Sequence, residues 1–332
     1  MKKMLLAAVL LGLAASAPAA PLQFGEGLRM NQIQVLGTHN SYHKRPPTLG
    51  VANLITRATE DWDYEHLPLD VQLNNGVRSF ELDIHNVNGT WAVFHLPLID
   101  AATTCATFRD CLELVRQWSD AHPRHVPISF LIEYKDEGRL VDTRIAPLDA
   151  PSLDRLDADV RAVFPGDRLI TPDDVRGDFE TLNEAILKRG WPTLESARGK
   201  VFFVLHEGGE NRDLYLNGHP SLKGRALFVR SEPGRPECAA LVRDNPNEED
   251  LQELVLKGYW VRSTAGGPPS EKRPGTERRD KALASGAHVV SSDYPPGEPD
   301  AKTGYVVAFP EGSPARCNPL NAPADCVTSK LE

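Results

Sequence analysis

Residues 79–86 read Ser-Phe-Glu-Leu-Asp-Ile-His-Asn, an alternation of apolar and polar positions. Successive side chains of a strand point to opposite faces, so Phe80, Leu82 and Ile84 share one face and Glu81, Asp83 and His85 the other. Such a pattern also suits an exposed edge strand, but Phe-x-Leu-x-Ile argues for a strand packed into the protein. Asn88-Gly89 then predicts a hairpin turn, and 90–95 a returning strand that ends at His95. Further strands are predicted at 32–37, 128–135, 201–207, 226–229, 259–262 and 288–292. Helices are expected over 67–75, closed by Asn75-Gly76, over 111–121 and over 154–164, closed by Pro165-Gly166. Residues 194–197 lead into the strand at 201, and 276–284 form the helix before the last strand. Residues 48–65 are mixed and helical in part. The Gly/Pro-rich stretch 264–275 reads as the loosest region, a loop at a site's mouth or a surface excursion. Helices alternating with apolar strands predict an α/β sheet or barrel, and no internal repeat is visible.

Residues 1–19 interrupt this picture. Lys2-Lys3, an apolar run from Met4 to Ala15 and Ala17-Pro-Ala19 have the form of a cleaved signal peptide. The run is too short for a membrane span, which needs roughly 20 residues. The expected mature protein is a single barrel domain, 20–332, with a core over about 28–296 and a Pro-rich C-terminal tail, secreted or periplasmic. In an oxidising compartment Cys105 and Cys111 are close enough to pair, as are Cys317 and Cys326, leaving Cys238 over. No Cys-x-x-Cys spacing points to zinc.

The chain has 332 residues, 41% of them hydrophobic, enough for a full-sized core. Its net charge of −9 becomes about −11 once Lys2 and Lys3 leave with the leader. That acidity speaks against nucleic acid and against broad attraction to anionic membrane. A phosphate-bearing substrate must then be met by local groups.

Two carboxylates and an imidazole on one strand face are costly to bury unless neutralised. A divalent cation does this most simply, and hard oxygen ligands favour calcium or magnesium. Glu133 closes an otherwise apolar strand, and His39-Asn40 follows the first strand. In a parallel barrel the C-terminal ends of the strands form the site, and His39, Asn40, Glu81, Asp83, His95 and Glu133 all fall at or near such ends. His39 alone also reads as an ordinary loop histidine. Together the six supply carboxylates and an amide for a cation and two histidines for proton transfer, the equipment of metal-assisted phosphodiester cleavage.

Gly37-Thr-His-Asn-Ser-Tyr42, Glu81-Leu-Asp83, Phe94-His95 and Glu133 resemble, in this order, the pattern of calcium-dependent phosphoinositide-specific phospholipase C, most closely its secreted bacterial branch. The stretch 276–294 resembles that family's last helix and strand. The resemblance implies a distorted (β/α)8 TIM barrel that cleaves phosphatidylinositol-type lipids to diacylglycerol and a cyclic or acyclic inositol phosphate. It implies Asn40, Glu81, Asp83 and Glu133 as ligands of Ca²⁺, with Mg²⁺ the second choice. The inositol 2-hydroxyl would attack phosphorus, with Glu133 or Glu81 taking its proton. His39 would stabilise charge on the phosphate, and His95 would protonate the departing glycerol oxygen. His85 is not required by the pattern and is expected to hydrogen-bond a carboxylate. Lys135 and Arg262 are the candidate headgroup-binding cations, although each also reads as a solvated surface residue. A monomer making transient contact with a membrane surface is expected.

The rival enzyme class is a glycerophosphodiester phosphodiesterase acting on soluble diesters, which the Glu-x-Asp strand also resembles. That class tends to carry His-Arg-Gly where this chain has His39-Asn40-Ser41. A catalytically inactive calcium-dependent binding protein would need neither His39 nor His95.

Overall fold

The computed structural model describes residues 21–47, 62–270, 273–310 and 312–332. The leader and most of the mixed stretch 48–65 therefore lie outside the described residues. Ten strands are found among the described residues: β1 (Ile33–Thr38), β2 (Val77–Val87), β3 (Thr90–Val93), β4 (Ile128–Tyr134), β5 (Val201–Leu205), β6 (Phe228–Val229), β7 (Ala240–Val242), β8 (Trp260–Thr264), β9 (Val289–Ser292) and β10 (Ala315–Cys317). Eight run parallel in the order β6-β5-β4-β2-β1-β9-β8-β7. A single parallel bridge, Arg230 to Ala240, spans the gap between β6 and β7. The result is a distorted, nearly closed (β/α)8 barrel.

Parallel strands buried on both faces are apolar throughout, as β5 (Val-Phe-Phe-Val-Leu) shows. On the helix-facing side of β2, β4 and β5, Phe80, Phe130 and Phe203 lie in one row. Their ring centroids are 5.6 and 4.6 Å apart. The helix Phe108–Ala121 covers this wall with Phe108, Cys111, Leu112, Val115 and Trp118, one apolar stripe at helical spacing. Thr107 and Asp110 cap its first turn reciprocally. The Cys105–Cys111 disulfide ties that turn to the preceding loop; Cys317–Cys326 closes the tail, and Cys238 is free and buried. Among the described residues no helix is long and apolar enough to cross a membrane.

Two features of the sheet position the site. At Gly37 the β1–β2 register shifts, and a Cβ there would come within 2.9 Å of Val289 and 3.0 Å of Ser79, so only glycine lets the three strands close up. The second is the length of β2, eleven residues, whose C-terminal part turns at Asn88 (φ 51°) and Gly89 (φ 83°) into the antiparallel β3. Positive φ at both turn residues matches the hairpin expected from Asn-Gly. Glu81 and Asp83 consequently lie within β2 rather than at its end, and His95 falls two residues beyond β3. The tail does not hang free, because β10 pairs antiparallel with Ile33–Val35 of β1.

Candidate active site

Asp83 lies directly across from Glu133 in the β2–β4 register, with Glu81 two residues back on the same face. One oxygen from each of Glu81, Asp83 and Glu133 falls within 4.8 Å of the others. Both Asp83 oxygens are buried and take no close hydrogen bond, and Lys135, 3.8 Å away, offsets this carboxylate inside the barrel. Burial pushes its pKa well up, Lys135 opposes the shift, and Glu133 and Glu81 add to it. Three converging oxygen donors, one of them without a close hydrogen bond, fit a hard divalent cation such as calcium. The Asn40 carboxamide belongs to the adjoining loop. Its oxygen accepts a bond of only 3.3 Å from Tyr42, and its φ is 45°. Ser41 fastens that loop to β2, its N–H donating to the Glu81 carbonyl (2.9 Å) and its hydroxyl accepting the Glu81 N–H (2.7 Å).

Both candidate cations reach the cluster. Lys135 Nζ lies 2.7 Å from Glu133 and 3.8 Å from Asp83. Arg262 bridges Glu81 and Asp244 and is buried, its charge retained because those two carboxylates outweigh the burial. His39 donates from Nδ1 to Asp293 at 2.8 Å, and its Nε2 stands 3.7 Å from Glu81. Burial works against an imidazolium here, but Asp293 and Glu81 outweigh it and raise the His39 pKa to about 9. His39, Glu81, Glu133, His206, Arg262 and Asp293 help line a cavity of about 410 Å³.

His95 does not line that cavity. Its Nδ1 meets the fully buried Asp100 at 2.7 Å. Its ring stands 6.3 Å from His43, which stacks on Tyr64 at 4.4 Å, and Tyr64 in turn is 6.3 Å from His39. His85 packs within the hairpin, and its charge bears on Asp142. Its Nε2 donates to the Phe94 carbonyl at 2.8 Å while its ring stacks on Phe94, so it braces the hairpin. Three carboxylates escaped the sequence reading. Asp293 follows β9 and obeys the same strand-end rule that singled out Glu133, whereas Asp100 and Asp244 sit in loops with no periodic signal. His206, just past β5, also lines the cavity.

Several solved structures share this architecture. The calcium-dependent phosphatidylinositol-specific phospholipase C of Streptomyces antibioticus is 22% identical over 80% of this chain and 95% of its own, with a TM-score of 0.57. The calcium-dependent enzyme of a Gram-negative Pseudomonas species, in its myoinositol complex, is 17% identical over 88% and 96%, with a TM-score of 0.59. At these identities the likeness establishes the fold. No curated protein matches the chain in sequence. The family model described as "Phosphoinositide phospholipase C, Ca2+-dependent" matches residues 28–92 and 87–319, nearly the whole of the barrel. The chain is therefore a member of the calcium-dependent phosphoinositide phospholipase C family, a group of phosphodiesterases.

Proposed function

We propose that the protein is an exported calcium-dependent phosphodiesterase that cleaves phosphatidylinositol-type lipids by attack of the inositol 2-hydroxyl on phosphorus. The observation that carries this reading is the Asp83 carboxylate, without a hydrogen bond between Glu81 and Glu133, with His39 on Asp293 at the same cavity. Asn40, Glu81, Asp83 and Glu133 would hold the ion, which when bound would supply the Lewis acidity that makes the hydroxyl nucleophilic. Glu133 lines the cavity and takes the hydroxyl proton as the oxygen–phosphorus bond forms. Protonated His39, anchored by Asp293, stabilises the charge that builds on the phosphate. His95, anchored by Asp100, gives a proton to the glycerol oxygen as its bond to phosphorus breaks. Lys135 and Arg262 pair with Glu133 and Glu81 and face the headgroup.

Two disulfides and the leader-like residues 1–19 support export. Contact with a bilayer is supported by Leu98, Leu140 and Val141, exposed by 76, 98 and 64%, on loops that follow the site-bearing strands β2–β3 and β4. Those loops touch where Gly138 packs on Pro97. Leu98 is held outward by a γ-turn with φ of 67°, its neighbours joined by an Ile99 N–H bond to the Pro97 carbonyl.

Incubation with phosphatidylinositol vesicles, with calcium and with chelator, tests the proposal. Diacylglycerol and inositol phosphate should appear with calcium alone. Turnover that survives chelation, or turnover confined to soluble glycerophosphodiesters, refutes it.

A further inference from the structure

Asp100 serves two histidines. His95 Nδ1 reaches one of its oxygens at 2.7 Å, and His43 Nε2 reaches both at 3.0 Å. His43 and Asp100 are buried, and His43 Nδ1 has no hydrogen-bond partner. A neutral imidazole has one N–H and one bare nitrogen, so an N–H at Nε2 toward the carboxylate leaves the unpartnered Nδ1 as the bare acceptor. His43 is thus a donor to Asp100. The backbone holds this arrangement together. Lys44 N–H donates to the Ala102 carbonyl and Thr104 N–H to the Tyr42 carbonyl, sewing the loop that carries Asp100 to the segment that carries His43. Leu96 and Asp100 exchange backbone bonds at 2.9 and 3.1 Å, which closes the Asp100 loop on itself next to His95.

We propose that His43 is a positioning residue for the reaction: by donating to Asp100 it fixes the carboxylate that holds the His95 Nδ1–H, and so presents His95 Nε2 as the proton donor to the leaving group. This rests on the assignment of His95 as the leaving-group acid. A carboxylate with a single partner can rotate, whereas one clamped by a second buried N–H offers His95 one lone-pair direction. His43 touches no reacting atom. It also lies three residues beyond Asn40, so one short segment sets both the amide expected to bind the cation and the brace of the acid.

The experiment compares kcat on phosphatidylinositol, whose glycerol oxygen needs a proton to depart, with kcat on a nitrophenyl ester of inositol phosphate, whose leaving group does not. His95→Ala provides the reference, His43→Phe keeps the stack on Tyr64 without an N–H, and His43→Gln restores a donor. On the lipid His43→Phe should lower kcat about 10- to 100-fold, a fraction of what general-acid catalysis contributes, with KM little changed. On the nitrophenyl ester the loss should stay within about threefold, and His43→Gln should recover part of the lipid activity. Equal losses on both substrates, or none on the lipid, overturn the proposal. Should His43→Phe fail to fold, His43→Met takes its place with the same expectations. If His95→Ala itself shows no preference for the nitrophenyl ester, the acid assignment falls; if His95→Ala does and the His43 variants do not, only the role of His43 falls.

Discussion

Replacing Asp83 by asparagine separates the cost of the empty cluster from its use. Asp83 is 1% exposed, neither oxygen is hydrogen-bonded, and Glu81 and Glu133 crowd it. Lys135 at 3.8 Å offsets only part of that penalty. Its pKa is raised in the folded protein above the unfolded value. The stabilising contribution of such a group is complete below its unfolded pKa, near about 3.9, and is lost as pH rises through the folded value. Without calcium, Asp83→Asn should therefore stabilise the protein, the gain growing with pH up to the raised pKa and then levelling off. Replacing a buried carboxylate crowded by two others with a neutral amide, whose N–H can donate to them, is worth about 1–3 kcal/mol, and at about 2 °C per kcal/mol for a chain of this size the midpoint should rise by about 2–6 °C. With calcium the difference should shrink or invert. Ligand at a hundredfold excess over its dissociation constant stabilises the wild type by about 2.7 kcal/mol, and the variant should gain almost nothing. Thermal unfolding at pH 5 and pH 8, in chelator and in calcium, reads all four arms. A variant less stable than wild type in chelator at pH 8, or one that calcium stabilises equally, refutes the reasoning.

Asp293→Asn removes the carboxylate that sustains the His39 imidazolium, so the His39 pKa should fall from about 9 toward the ordinary value near about 6.5. Imidazole resonances followed against pH check this, and an unchanged midpoint would exclude Asp293 as the cause. Leu98→Glu combined with Leu140→Glu should weaken binding to phosphatidylinositol vesicles by about tenfold or more while leaving turnover of a soluble inositol phosphodiester unchanged. Equal loss on both substrates would place these leucines in folding rather than at a lipid surface.

The cluster was legible where chemistry follows strand geometry. Alternation put Glu81 and Asp83 on one face, and an apolar strand that ends in a carboxylate singled out Glu133, because period and burial are local properties of sequence. Asp100 and His43 were not legible. They are 57 residues apart, and only the backbone ladder between their loops brings them together. For His85 the face was legible but not the Phe94 carbonyl that takes its Nε2–H, which arrives from the far arm of the hairpin. The fold divides similarly. Eight strands were visible, even the two-residue β6, whereas β7 and β10, three residues each, were not, and the short helices Pro172–Arg176, Leu182–Lys188, Gly209–Leu216 and Leu251–Leu256 went unpredicted. Elements of one or two turns form because the barrel wall supports them, and their own sequence carries little period.

The gap between β6 and β7, spanned by the Arg230–Ala240 bridge, has a bearing on where precision can reside. In the ring order the point diametrically across from it is the β2–β1 junction, with β4 beside β2. The staves bearing Glu81, Asp83 and Glu133 are thus among those with paired neighbours on both sides, and the Gly37 contact locks the junction next to them. A barrel with one weak joint yields there first, so distortion is taken up on the wall farthest from the carboxylates. The imperfect closure works as an expansion joint, leaving the opposite wall to hold the spacing that a cation requires.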